Sequence, residues 1–212
     1  VKLTSTAAKI PTLTIAKSPT GGGTPFEDLN LIQPAFIELF AGTETDKVYS
    51  MTFSGLDAVV LVEELQSNGT WKTLSAGTDY TADLAAGKVT FTTAPGKSPI
   101  TGEDNVRITA GYADRINKCR FGTLFGVNGA ADRLFLSGNP DFVNYDWHSG
   151  QNDPTYWPDT GYSVIGTEKS AIVGYSIIND RLATHKDDQA DGRNVVIRQG
   201  DLVDSEAVFP VV

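Results

Sequence analysis

Residues 80–112 read YTADLAAGKVTFTTAPGKSPITGEDNVRITAGY, and the alternation inside this stretch decides the fold class. Val89, Phe91 and Thr93 occupy every second position of GKVTFTTAPG, as Val106, Ile108 and Ala110 do in NVRITAGY. A period of two places such side chains on one face of an extended strand. Turn chemistry separates the runs, with DLAAGK at 83–88 and TAPGKSPITGED at 93–104.

Further out the same grammar continues. In DKVYSMTFSG, Tyr49, Met51 and Phe53 share a face, and SNGT at 67–70 is another turn. The best helical candidate, LIQPAFIELF at 31–40, contains Pro34 and several β-favouring residues, so a strand is predicted there too. Short strands with frequent turns indicate an all-β protein, a sandwich or a barrel.

Three segments follow from where this pattern changes. Residues 1–30 hold one strand, Thr12 to Lys17, and then Gly21, Gly22 and Gly23 between Pro19 and Pro25, which reads as an extended strand with a flexible linker. Residues 31–112 read as a small β-sandwich. Residues 113–212 carry a weak internal repeat: ADRLFLSG at 131–138 and NDRLATHK at 179–186 each set Asp-Arg-Leu before a strand, with Asp132 and Asp180 48 residues apart. That period suits a propeller blade of roughly 40–50 residues. Two blades do not close a propeller of typically four to eight. The third segment is therefore expected to hold an incomplete set of antiparallel, propeller-like blades. The chain opens on Val rather than Met and closes on the apolar AVFPVV, as a processed product or a piece of a longer protein would.

Composition narrows the function. Of 212 residues, 40% are hydrophobic and 20% charged, as in a globular protein. A formal net charge of -9 opposes binding to phosphate backbones, so nucleic acid is not an expected partner. No apolar run reaches the roughly 18 residues of a membrane helix, so membrane insertion is not expected either. The single cysteine, Cys119, allows no internal disulfide framework, and its alternation with Ile116 and Phe121 reads as structural.

Each catalytic or ligand-binding motif fails on a specific requirement. A serine or cysteine nucleophile needs a base, and the histidines are His148 and His185, with no GxSxG elbow. DDQADGRN at 187–194 imitates a calcium loop, but its twelfth position is Arg198 rather than Glu. TGGGTP at 20–25 lacks the following GK[ST] and helix of a phosphate cradle. Asp141, Asp146, Asp153 and Asp159 could supply a carboxylate pair, yet Asp is also a turn residue and spacing alone does not pair them. No catalytic, cofactor-binding or metal-binding residue is predicted.

What is left is aromatic. GQNDPTYWPDTGY at 150–162 is an ordered loop by its prolines and rings, and with the residues before it gathers Phe142, Tyr145, Trp147, Tyr156, Trp157 and Tyr162. Buried, such rings pack a loop onto a sheet; exposed, they anchor an interface or stack on sugar. Tyr145, Trp147, Tyr156, Trp157 and Tyr162 are the candidate interface or glycan contacts.

Several stretches together resemble a family. PTLTIAKSPTGGGTPFEDLNLIQP, DYTADLAAGKVTFTTAPG with GEDNVRIT, GYADRINKC, and DRLFLSGNPDFVNYDWHSGQNDPTYWPDTGYSVIG are similar to tail-associated structural proteins of bacteriophages and prophages, among them phage stabilisation and head-to-tail completion proteins. The resemblance spans nearly the whole chain. It implies a propeller-like chain with a small β-sandwich set into it, and a non-enzymatic part of the virion tail or neck. It also implies homo- or hetero-oligomeric assembly with other virion proteins. The alternative expectation is a carbohydrate-binding module of the phage adhesion apparatus, with a host glycan as partner.

Overall fold

The computed structural model describes residues 9–112, 114–187, 192 and 194–212. The protein is all-β and contains several antiparallel sheets. It divides into two compact units: a sandwich unit of residues 9–29 and 33–112, and a C-terminal unit of residues 30–32 and 114–212.

The sandwich unit contains β1 (Thr12–Lys17), β2 (Thr24–Pro25), β3 (Ala35–Phe40), β4 (Val48–Ser50), β5 (Ala58–Leu65), β6 (Trp71–Thr73), β7 (Tyr80–Asp83), β8 (Lys88–Phe91) and β9 (Val106–Gly111). One sheet has the order β2-β1-β3-β9-β5-β6, the other β4-β8-β7. Alternation places Phe36 and Phe40 of β3 and Val106, Ile108 and Ala110 of β9 in the core, opposite Tyr49 of β4 and Val89 and Phe91 of β8. Tyr49 sets its ring edge-on to Phe40 at 5.3 Å and to Phe91 at 4.9 Å. Burial pushes its phenol up to about 12. Thr93 departs from the predicted alternation: β8 stops at Phe91, and Thr93 is exposed on the way to the turn at Pro95.

The reading of residues 1–30 as a strand followed by a flexible linker needs correction over its described part. β1 pairs in parallel with β3, and β2 folds back antiparallel on β1, pairing Thr14 with Pro25 and Ile15 with Thr24. The glycines make this return: Gly21, Gly22 and Gly23 all have positive φ, and a Cβ on Gly23 would lie 2.5 Å from Thr14 Cγ2. Glycine runs serve both tight turns and loose linkers, so composition alone does not separate them.

A bulge in β1 buries a charge. The pairing with β3 shifts between Thr14 and Lys17, Ala16 takes φ 51°, and Lys17 turns inward. Lys17 Nζ donates to Glu38 Oε2 at 2.8 Å and to Thr52 Oγ1 at 2.9 Å. The Thr52 amide and hydroxyl also donate to the Glu38 carboxylate. A carboxylate held on the core face of a strand requires this many donors, because burial of an unpaired charge is costly.

The C-terminal unit is built from antiparallel up-and-down sheets. The first, here the 121–164 sheet, has the order β10 (Phe121–Phe125), β11 (Arg133–Ser137), β12 (Tyr145–His148) and β13 (Tyr162–Val164). The second, the 172–199 sheet, contains β14 (Ile172–Ile178), β15 (Arg181–Lys186) and β16 (Val195–Gln199). The last residues extend it, since Val211 bridges antiparallel to Arg198. A hairpin of β17 (Asp201–Val203) and β18 (Glu206–Val208) precedes that segment. Asp132 and Asp180 both stand immediately before the second strand of their sheet, so the Asp-Arg-Leu repeat marks equivalent strands. It does not mark equivalent side-chain directions, because Phe135 is the core residue of β11 whereas Leu182 is that of β15.

Phe125 and Phe135 of the first sheet and Leu182 of the second form one buried cluster, with Tyr175 and Phe209 against it. The inner faces of the two sheets thus share a core.

Candidate functional site

Strand β12 organises the aromatic residues. Alternation sends Tyr145 and Trp147 to one face, while Asp146 points to the other. Across the ladder Trp147 stands opposite Tyr162 and Tyr145 opposite Val164. Tyr145 stacks on Tyr162 at 5.4 Å and on Trp147 at 5.8 Å, and Phe142 meets both Tyr145 and Trp147 edge-on. The Arg115 guanidinium lies over the Phe142 ring at 5.3 Å. An open depression beside them is lined by Asp141, Phe142, Asn144, Tyr145, Glu168 and Lys169, and Lys118 pairs with Asp141 at 2.6 Å.

Of the five candidate contact residues, three come together here and two do not. Trp157 is fully buried. Its indole N–H donates to the Pro154 carbonyl at 2.9 Å, and its backbone is tied to residues 30–31: the Trp157 amide donates to Asn30 Oδ1, and the Leu31 amide to the Trp157 carbonyl. Asn30 Nδ2 also donates to the Thr155 carbonyl. Tyr156 is half-buried against Gly150. GQNDPTYWPDTGY is therefore a packed loop clamped by residues 30–31, and Tyr162 alone among the five is exposed.

The inward face of β12 carries charge. The Asp146 carboxylate receives two hydrogen bonds from the Arg198 guanidinium of β16 and one from the Tyr175 hydroxyl at 3.4 Å; Arg198 also donates to Thr184 Oγ1 at 3.0 Å. Burial raises the Asp146 carboxyl above its ordinary range, outweighing the opposing pull of Arg198. Two residues on, His148 packs against Phe135 and Phe209, and burial lowers its imidazole.

The other aspartates have separate tasks. Asp141 pairs with Lys118, and Asp153 accepts from the Thr155 amide and hydroxyl, which holds its carboxyl below the ordinary range. Cys119 donates to the Arg115 carbonyl at 3.3 Å, and burial pushes its thiol up to about 12. His185 Nε2 lies 2.8 Å from Ser176 Oγ, a contact between neighbouring strands that no motif announces. Among the described residues no three of His, Cys, Asp and Glu converge as a metal-binding set. Most of the calcium-loop imitation at 187–194 lies outside the described residues; Asp187 itself accepts from Ser170 Oγ and the Ala171 amide. No helix among the described residues is long and apolar enough to cross a membrane.

Comparison with protein-family models, with curated proteins and with solved structures finds no match.

Proposed function

We propose that this chain is a non-enzymatic structural component of a phage virion, placed in the tail or neck, that acts by assembling with other virion proteins. The observation that carries the reading is apolar exposure concentrated on the C-terminal sheets. Leu124, Tyr162, Val164, Val173, Ile178 and Val195 all lie open there. Apolar side chains left open in this number on two small sheets are available to an interaction surface. The up-and-down order of both sheets is that of a propeller blade, which supports the resemblance to phage stabilisation proteins.

Carbohydrate binding is the second reading, and it rests on Tyr162 beside the depression lined by Asp141, Asn144 and Glu168. We place it second because Trp147 and Trp157 are buried and Tyr145 is engaged by other rings, which leaves a single open platform for a sugar.

Antibody raised against the recombinant chain, applied as immunogold label to particles released by the strain that carries its gene, tests the proposal. Label at the tail or neck is the expected result. Particles that contain none of the protein would end it, and binding of the isolated chain on a glycan array would promote the second reading.

A further inference from the structure

β13 is the terminal strand of the 121–164 sheet, and its register shows which of its main-chain groups are left over. The His148 amide donates to the Gly161 carbonyl and the Ile165 amide to the Asn144 carbonyl, both at 2.8 Å. Antiparallel bonds recur at every second residue, so Gly161, Ser163 and Ile165 turn their main-chain groups to β12, and Tyr162 and Val164 turn theirs outward. The Tyr162 amide is satisfied locally by the Thr160 carbonyl at 2.9 Å. The Tyr162 carbonyl and both the amide and the carbonyl of Val164 face the open side, where no described strand pairs with β13. Their side chains are open as well, Tyr162 being 43% exposed and Val164 51%.

Other sheet margins of this chain are blunted. β2 ends on Pro25, which has no N–H. The Ser50 amide of β4 donates to the Pro19 carbonyl, the Tyr80 carbonyl of β7 accepts from the Gly77 amide, and β6 carries the exposed Lys72. β16 is covered by the last residues, since the Gln199 amide donates to the Pro210 carbonyl and the Val212 amide to the Ile197 carbonyl. Prolines, charges and covering segments are the means by which edges are protected from pairing. β13 uses none of them among the described residues: Tyr162, Ser163 and Val164 include no charge and no proline, and the pairing with β12 runs without a bulge.

We infer that β13 is a strand-addition site whose partner is an extended segment of another protein, with apolar side chains at alternate positions and Lys or Arg flanking them. An extended main chain presents amides and carbonyls at the spacing of a sheet edge, which neither a helix nor a sugar does. Alternate side chains of the added strand lie beside Val164 and beside Tyr162, whose ring is already fixed by stacking on Tyr145 at 5.4 Å, and apolar cross-strand pairs of this kind stabilise a sheet. The basic flanks follow from the net charge of -9 and from Asp159 and Glu168, which stand on either side of β13 in the chain. The same charge sets two copies of this chain against each other, so self-pairing of β13 is disfavoured. A contact of so few residues is weak by itself, and repetition among copies in a particle supplies persistence. This inference deepens the assembly reading by naming the kind of partner, and the virion location rests on the separate labelling experiment, which can fail independently.

A random-peptide display library panned on the full wild-type chain supplies the probe, and fluorescence anisotropy of the recovered peptides reads their affinity for the wild type and for Val164→Pro. Proline is accepted on an edge strand where its nitrogen faces solvent, so this variant deletes the outward donor and keeps both the β12–β13 ladder and the Tyr162 ring. The recovered peptides are expected to alternate apolar residues between basic flanks and to bind Val164→Pro at least tenfold more weakly than the wild type. N-methylation of their main chain is expected to abolish binding. Val164→Lys, which sets a charge on the edge, repeats the test if Val164→Pro loses its native circular dichroism. Recovery of no binding peptide overturns the inference, and so do peptides that bind the wild type and the folded variant equally. A wild type that sediments as a dimer while Val164→Pro stays monomeric overturns the choice of partner, because the added strand then comes from a second copy.

Discussion

Asp146 of β12 and Arg198 of β16 join the two C-terminal sheets through a doubly hydrogen-bonded ion pair that neither side chain shares with solvent. Breaking a buried pair from one side leaves the other group uncompensated, whereas replacing both with apolar groups does not. Arg198→Met should therefore cost about 3–5 kcal/mol, measured as a shift in the urea unfolding midpoint. The double variant Asp146→Leu/Arg198→Met should recover most of that loss. A neutral single variant would show that the pair does not hold the sheets together.

Trp157 and Tyr162 should separate packing from surface. Trp157→Ala empties a buried site and removes the indole bond to Pro154, an expected loss of about 3–5 kcal/mol. Tyr162→Ser forfeits a stacked contact on an exposed ring and should cost about 1 kcal/mol or less. Thermal unfolding of the two variants checks the order, and a reversed order would contradict the burial described above.

His148 gives a pH dependence with a definite sign. Burial against Phe135 and Phe209 lowers its imidazole below the ordinary 6.5. Below pH 6.5 the unfolded chain takes up a proton that the folded one refuses. Its contribution to stability is therefore complete above pH 6.5 and is lost as pH falls toward the folded value. The raised carboxyl of Asp146 acts with the opposite sign, and the difference between wild type and His148→Phe cancels it to first order. That difference, from urea midpoints between pH 4 and 8, should change below 6.5 and be level above it.

Cys119 should be slow to alkylate. With its thiol pushed up to about 12, almost none is thiolate at neutral pH. Iodoacetamide is expected to label the native protein far more slowly than the urea-unfolded chain, followed by mass spectrometry. Equal rates would refute the burial of the sulfur.

Much of the fold was legible because alternation is a local property. Val89, Phe91, Val106, Ile108 and Ala110 announce both their strands and their buried faces, and the Asp-Arg-Leu repeat announces equivalent strands. The inward turn of Lys17 was not legible, since a lysine ending a strand reads as solvent-facing and only the bulge at Ala16 redirects it. The clamp of Asn30 on Trp157 joins residues 127 positions apart, a separation at which no periodic pattern carries information. For the same reason the sequence does not separate the five candidate rings, although Trp157 belongs to the interior and Tyr162 to the surface. Asp146, in sequence a candidate for a carboxylate pair, and Arg198, in sequence the twelfth position of the calcium-loop imitation, are 52 residues apart and are paired only by the registers that set them face to face.

Residues 30–32 lie in sequence between two pieces of the sandwich unit yet belong to the C-terminal unit, so the polypeptide passes from one unit to the other more than once. No single cut can therefore dissect them. A truncation beginning at residue 33 or at 114 removes the acceptor of the Trp157 amide and the Leu31 strap together, unpinning a loop more than a hundred residues downstream. A C-terminal piece that keeps this clamp has to carry residues 30–32 from upstream as a separate segment.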